Sequence, residues 1–567
     1  MRLRQVFMIV GAIAAGGPVI ADGNAGAYLA ARSAIIDNDY AEASRQFTRA
    51  LLGDSTNPVI LENGMTAYLG LGDLERAAPM ARRLDEMDIR SQLADLVLLG
   101  DVAARGEWET ALDYLNAGNS VGPLFDGLVR AWSELGAGRV GDAIASFDAV
   151  ATSDGVQAFG LYHKALALAS VGDYEGAAEI FSGDSGPNLR LTRRGIIAYS
   201  QVLSQLERNE DALEIVGVVA GNAADPTMLV LQEQLASGET LTFDAVRSPT
   251  DGVAEVYHSI AGALRGEAQD AYTLLYGRMA LALRSDHVDA LLLTAELLES
   301  LDQYELATQV YDTVPRDAPA FYAAELGRAA ALRQADRNDE AVEVLRQLAE
   351  SHADIPLVHV NLGDTLRGLD RFEEAIGAYD AAIELIVTPE EQHWIMYFAR
   401  GIVHERTDQW ENAETDFRKA LELRPEQPQV LNYLGYSFLE MQLNLDEALD
   451  MIERAVALRP ESGYIIDSLG WGLYRLGRYD EAVGHMERAV ELMAIDPVVN
   501  DHLGDVYWAV GRFREAEFQW HRALSFIGGA NDNGDADPDR IRRKLDVGLD
   551  QVLEEEGESP LRMANDG

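Results

Sequence analysis

The sequence predicts an all-α architecture, a solenoid of antiparallel helix pairs closed by a C-terminal capping helix. Three observations carry that reading. A small residue returns at nearly constant spacing along most of the 567 residues. In the C-terminal copies a Leu-Gly pair precedes it by about twelve residues. The stretches between are amphipathic at the helical period and are joined by tight polar turns such as Arg475–Glu481, RLGRYDE.

In chain order, Met1–Ala21 reads as a secretory signal: Arg2 and Arg4, the apolar run Val6–Gly17, then Val19-Ile20-Ala21 before the expected cleavage point. The run is twelve residues long, short of the roughly 20 that a bilayer-spanning helix needs, so no stable membrane insertion is expected after cleavage. Residues 22–219 are expected to form an N-terminal half, marked by Ala43, Ala77, Ala111, Ala143, Ala177 and Ala212, separated by 34, 34, 32, 34 and 35. Residues 220–252 break the register with AGNAADP, ASGETLTF and VRSPTDG and are expected to be an irregular hinge.

The C-terminal half, 253–527, carries Ala307, Ala341, Ala375, Ala413, Ala448, Ala482 and Ala516, giving thirteen clear copies in all. Val253–Leu283 has helical periodicity without the landmarks and reads as a degenerate fourteenth. Extra residues around Val387–Gln392 account for the one 38-residue step. In 528–556, GGANDNGDADPD is a loop, and Pro538 opens a capping helix through Glu555 with Ile541, Leu545, Leu549 and Val552 on one stripe. Residues 557–567 are expected to be disordered.

Val430–Phe526 holds the pattern almost unbroken: Leu434-Gly435, Leu469-Gly470 and Leu503-Gly504, then Ala448, Ala482 and Ala516, then Ala455, Ala489 and Ala523. Gly470 and Ala482 are read as points where helix backbones approach. On these residues the chain resembles the tetratricopeptide repeat family. The resemblance implies a right-handed superhelix whose first helices line the inner surface. The run from Leu431 to Ala482 is similar to the C-terminal block of long repeat proteins exported to the Gram-negative envelope. Roles among such proteins include adaptors for an envelope protease and assembly factors. Some are lipoproteins, but this chain has no cysteine to accept a lipid, form a disulfide or bind metal as thiolate.

The balance of 94 acidic against 46 basic residues, a net charge of −48, disfavours nucleic acid and anionic membranes as partners. Solvation of many outer helix faces is the preferred reading of the acidity, and attraction of a basic partner is the other. No HExxH, GxSxG, phosphate loop or Cys-His set is present. Gly470-x-Gly472 lies within a helix and reads as packing rather than as a nucleotide site. Asp501 and Asp505, with His502 beside them, could form an acid/base pair or a metal corner, though a hydrated face is the preferred reading. Asp532, Asp535, Asp537 and Asp539 resemble a calcium loop without its ligand order. No cofactor is expected.

What remains is recognition of proteins or peptides. Positions about a quarter turn from the Leu-Gly stripe would face the inner surface. They are Val360, Asp364 and Arg367; Phe398, Ile402 and Glu405; Asn432, Tyr436 and Leu439; Asp467, Trp471 and Tyr474; Asp501, Asp505 and Trp508. From these, Phe398, Asn432, Tyr436, Asp467, Trp471, Tyr474, Asp501, Asp505 and Trp508 are selected as a protein-binding groove, with aromatic anchors among groups that bond a peptide backbone. Tyr436, Trp471 and Trp508 also admit reading as fillers between adjacent units, and the sequence leaves both open. The function expected is a non-enzymatic scaffold or adaptor in the cell envelope. The alternatives are an enzyme with a carboxylate site for envelope glycans or peptides, and a small-ligand binder at the hinge.

Overall fold

The computed structural model describes residues 23–183, 189, 191–220, 225–529 and 536–557. Among them lie 31 α-helices, one 3-10 turn at Glu391–His393 and no strand. Fourteen successive helix pairs run from Gly23–Ile36 with Tyr40–Leu51 to Pro497–Ala509 with Phe513–Phe526. Pro226–Ala236, Pro538–Val547 and Leu549–Glu556 stand outside them. None of the described helices is long and apolar enough to cross a membrane. The expected signal, Met1–Ala21, lies outside the described residues, as do 558–567 of the expected tail.

Local chemistry sets the boundaries. Proline occupies the first turn at Pro58, Pro123, Pro249, Pro356, Pro428 and Pro497, where its missing N–H costs nothing. Within most pairs one residue in the left-handed region ends the first helix: Gly72, Gly106, Gly138, Gly172, Gly477 and Gly511, or Asp302, Asp336, Asp370 and Asp408. The next N–H then reaches back to a carbonyl of the last turn, as in Arg478 N to Leu473 O at 2.9 Å and Arg512 N to Tyr507 O at 2.8 Å. The same arginines bridge to Glu481 and Glu515 in the first turn of the second helix.

The periodic small residues sit where the helices cross. Ala413, Ala448, Ala482 and Ala516 are fully enclosed. A Cβ at Gly363, Gly401, Gly470 or Gly504 would overlap Tyr379, Phe417, Met486 or Trp520, the large residue sixteen positions on. Glycine is therefore required at these crossings for close approach rather than for flexibility.

The chain divides into two compact units, Met1–Leu348 and Ala349–Gly567, with the division inside helix Asn338–Ser351. The interval 220–252, expected to be an irregular hinge, falls within the first unit. That interval holds helix Pro226–Ala236, packed against Asn209–Ala220. The segment after it is pinned to helix Arg193–Gln205: Leu241 N donates to Ser204 Oγ at 2.9 Å, and Gln201 Oε1 accepts from Asp244 N and Ala245 N at 3.2 and 3.3 Å.

The degenerate stretch is a fourteenth pair, Pro249–Leu264 and Asp270–Leu283, and its unusual sequence has a cause. It packs against the first helices of earlier pairs, Pro58–Gly70, Gln92–Ala104, Pro123–Gly136 and Gln157–Ser170. Tyr257 Oη donates to Leu96 O at 2.6 Å, Arg278 Nε to Gly70 O at 3.0 Å and Thr250 Oγ1 to Ala103 O at 3.2 Å. Trp132 lies against Gly252, and Met279 against Gly100. Residues 251–257 are buried without interruption, so the helix has no polar stripe and the periodic signature fades.

The expected single capping helix is two helices, Pro538–Val547 and Leu549–Glu556, broken at Gly548 with φ +86°. Ile541, Leu549 and Val552 are buried as that expectation required, and Leu545 is partly buried.

Candidate functional site

In the unit Ala349–Gly567, neighbouring first helices are tied to one another by side-chain polar contacts. Glu405 accepts from Ser437 Oγ at 2.7 Å and from Tyr433 Oη at 2.5 Å. Asn432 Nδ2 donates to Ser468 Oγ at 3.2 Å, while its Oδ1 is buried with no hydrogen-bond partner. Trp471 Nε1 donates to Glu440 at 3.1 Å, and Asp467 meets His502 Nδ1 at 3.1 Å. Asn432, Asp467 and Tyr474 are buried; Phe398, Tyr436 and Trp471 are half-buried.

Trp471 is sandwiched, stacked on His502 at 3.9 Å between ring centroids and on Tyr474 at 4.8 Å. Burial opposes a charge on His502, but the carboxylates of Asp467, Asp501 and Asp505 outweigh it and hold the imidazole above its ordinary value. A protonated ring stacked on an indole gains a cation–π attraction.

Asp501, Asp505 and Trp508 require correction as groove residues, because the chain's own C-terminal helices occupy them. The Lys544 ammonium is buried between the two carboxylates, 2.9 Å from Asp501 and 2.7 Å from Asp505. Asp505 also accepts from Trp520 Nε1 at 2.9 Å. Trp508 Nε1 donates to Asp550 at 2.9 Å, and its ring lies against Gly548. Burial, with Asp505 beside it, raises Asp501 above the usual carboxylate range despite Lys544. These acids form a structural ion cluster, not a free acid/base pair.

No group of three His, Cys, Asp or Glu side chains able to hold a metal occurs among the described residues. Of the acids read as a calcium loop, Asp532 and Asp535 lie outside the described residues. Asp537 caps its helix by accepting from Asp539 N and Arg540 N at 2.8 and 3.1 Å. Asp539 pairs with Arg542 at 2.6 Å.

In the unit Met1–Leu348 a second polar cluster joins four helices. Arg194 reaches Glu255 at 2.6 Å and Asp289 at 3.0 Å. Arg193 reaches Asp289 at 2.5 Å and also pairs with Asp225. Tyr162 Oη donates to Glu255 at 2.9 Å, and His287 Nε2 lies 3.2 Å from it. Burial alone would raise Glu255; Arg194 and His287 outweigh it and hold it well below the usual range. Two adjacent arginines open helix Arg193–Gln205, where the macrodipole disfavours cations, a pattern in the sequence that calls for carboxylates from elsewhere in the fold.

Family models described as tetratricopeptide repeats match residues 128–189, 354–426, 398–463 and 464–494. They fall on the helix pairs, the αL-closed turns and the glycine and alanine crossings described above. The matched stretches are tetratricopeptide repeats. A TPR repeat-containing protein of Pseudomonas aeruginosa is 27% identical over 159 residues, 28% of this chain and 26% of that relative. The alignment thus spans about a quarter of the relative's length. Among solved structures, the APC/C hetero-tetramer Cut9-Hcn1 aligns with a TM-score of 0.37 at 14% identity, covering 93% of this chain and 96% of that one. Yeast Tom70 aligns at 0.36 and 14%, covering 95% and 99%.

Three of the first helices also expose a large side chain in their first turn. Leu357, Ile395 and Tyr464 are 49%, 51% and 46% exposed, large values for apolar or aromatic side chains in first helices. Each lies three residues before a position already assigned to the inner face, Val360, Phe398 and Asp467, so each extends that face by one turn. An apolar residue in the first helical turn, directly after Pro356 or Trp394, was the available signal.

Proposed function

We propose that this protein is a non-enzymatic scaffold whose unit Ala349–Gly567 holds a segment of another protein along its first helices. The observation that carries the reading is the row Leu357, Ile395 and Tyr464, exposed beside half-buried Phe398, Tyr436 and Trp471. Isolated exposed apolar residues mean little, but these three occupy one position in three of four consecutive first helices, the exception being exposed Gln429 in Pro428–Glu440, and Tyr436 keeps an aromatic on that helix. Glu405 and Glu440 border it, and with the net charge of −48 this favours a segment carrying apolar anchors and basic flanks. The site is envelope-facing in this reading: Arg2, Arg4 and the apolar run ending before Ala21 direct export, and the mature chain acts in the Gram-negative periplasm.

Two measurements test it. Fractionation of cells that make the full chain should place it in the periplasm without Met1–Ala21; recovery in the cytoplasm overturns the location. With a partner captured from envelope extract, Tyr464→Ala and Trp471→Ala should each weaken binding by about 2 kcal/mol, roughly 30-fold, and Asn432→Ala should act through stability because Asn432 is buried. Unchanged affinity in folded Tyr464→Ala and Trp471→Ala overturns the surface.

A further inference from the structure

The unit Met1–Leu348 holds a partly open cavity of about 750 Å³, a size suited to a small organic ligand. Its walls are mainly apolar: Phe159, Leu191, Gly262, Ala263, Leu292 and Leu293. One side is closed by the cluster of Arg193, Arg194, Asp225, Glu255 and Asp289. Gly262 is exposed at this wall, and a Cβ there would meet no atom within 4 Å, so a side chain can be added at this position. Elsewhere on the same helix the glycine is required, since Gly252 lies directly under Trp132.

The charged wall limits what can enter. Both guanidinium groups are already spent on carboxylates: Arg193 on Asp225 and Asp289, Arg194 on Glu255 and Asp289, with Arg194 also donating to Ala245 O at 3.0 Å. Three carboxylates face these two arginines, the third arginine of the wall, Arg265, is paired with Glu296 at 2.6 Å, and the nearby imidazoles add no charge. Burial, with His287 beside it, lowers His258 to about 4, and burial with Arg194 lowers His287. An anion would therefore meet a wall with a negative excess and no uncommitted cation. His258, on the cavity wall, is left as a neutral hydrogen-bonding group.

We propose that this cavity binds an uncharged amphiphile, an aromatic or aliphatic body with a single neutral hydrogen-bonding group. The site is distinct from the protein-binding row and lies wholly within the other unit.

The test uses two fluorescent probes that share one body. N-phenylnaphthylamine is neutral with one N–H donor; anilinonaphthalene sulfonate adds a sulfonate. The full chain should bind the neutral probe at one saturable site and the sulfonate far more weakly. Gly262→Phe and Gly262→Leu should fill the cavity and abolish binding of the neutral probe without lowering the melting temperature. Failure of the neutral probe to bind, or binding unchanged in both variants, overturns the site. Equal affinity for the sulfonate overturns the charge argument. A lowered melting temperature in both variants overturns the assignment of open space in front of residue 262.

Discussion

His163 is enclosed completely, and its Nδ1 accepts from Trp132 Nε1 at 3.1 Å. Protonation would break that bond and bury a charge, and burial lowers the imidazole to about 4. Its folded value lies below the unfolded one, so its contribution is present above about pH 6.5 and is lost as pH falls toward 4. His163→Gln should flatten the acid limb of urea denaturation between those values by a few kcal/mol; an unchanged slope would contradict the assignment. His502 has the opposite sign. Its value is raised, so its contribution is present below about pH 6.5 and lost as pH rises through the folded value, a dependence that His502→Gln should remove. Lys544 gives a third test at this scale. Lys544→Met leaves Asp501 and Asp505 facing each other with only Arg540, 3.6 Å from Asp505, as a nearby cation and should cost about 3 to 5 kcal/mol. The added changes Asp501→Asn and Asp505→Asn should recover most of it, and no recovery would mean that the ammonium acts by packing alone.

At the level of the element, the regular pairs were readable because each crossing demands a small residue and each turn an αL residue, as at Gly470, Ala482 and Gly477. The pair 249–283 was harder to read because packing on several sides removes its polar stripe. The cap was half legible. Ile541, Leu549 and Val552 mark the buried stripe, but Gly548 within it is a stop signal that breaks the helix in two. Lys544, one place from that stripe, needs acids 39 and 43 residues away, which no local pattern reports. Deleting 537–567 should therefore do more than bare an apolar face; it leaves Asp501 and Asp505 buried or newly hydrated and strips the cover from Trp508. A lower melting temperature or self-association is expected, whereas deleting 558–567 should cause neither. Equal behaviour of the two truncations would remove the cap from the account.

For the molecule as a whole, stacking between neighbours would allow a cut at almost any turn, since each pair leans mainly on the next. The contacts of Pro249–Leu264 and Asp270–Leu283 with pairs far earlier in the chain forbid it in the unit Met1–Leu348. Tyr257 bonds a carbonyl 161 residues away and Arg278 one 208 residues away, so a break at 240–252 separates a groove from the helices that fill it. Fragments 22–245 and 246–567 made separately should then expose Trp132, Phe125 and Leu96 on one side and Tyr257 and Met279 on the other, with large apolar side chains each losing about 1.5 to 3 kcal/mol of burial. Both should aggregate or bind hydrophobic dye when apart, and mixing should recover part of the fold. A break between 352 and 355, in the turn after Ser351, cuts none of these contacts and should leave two soluble helical fragments. Circular dichroism melts of the two fragment pairs decide the matter: cooperative melting of 22–245 alone at the temperature of the intact chain would show that the long-range pair is an ornament on the stack and not its filling.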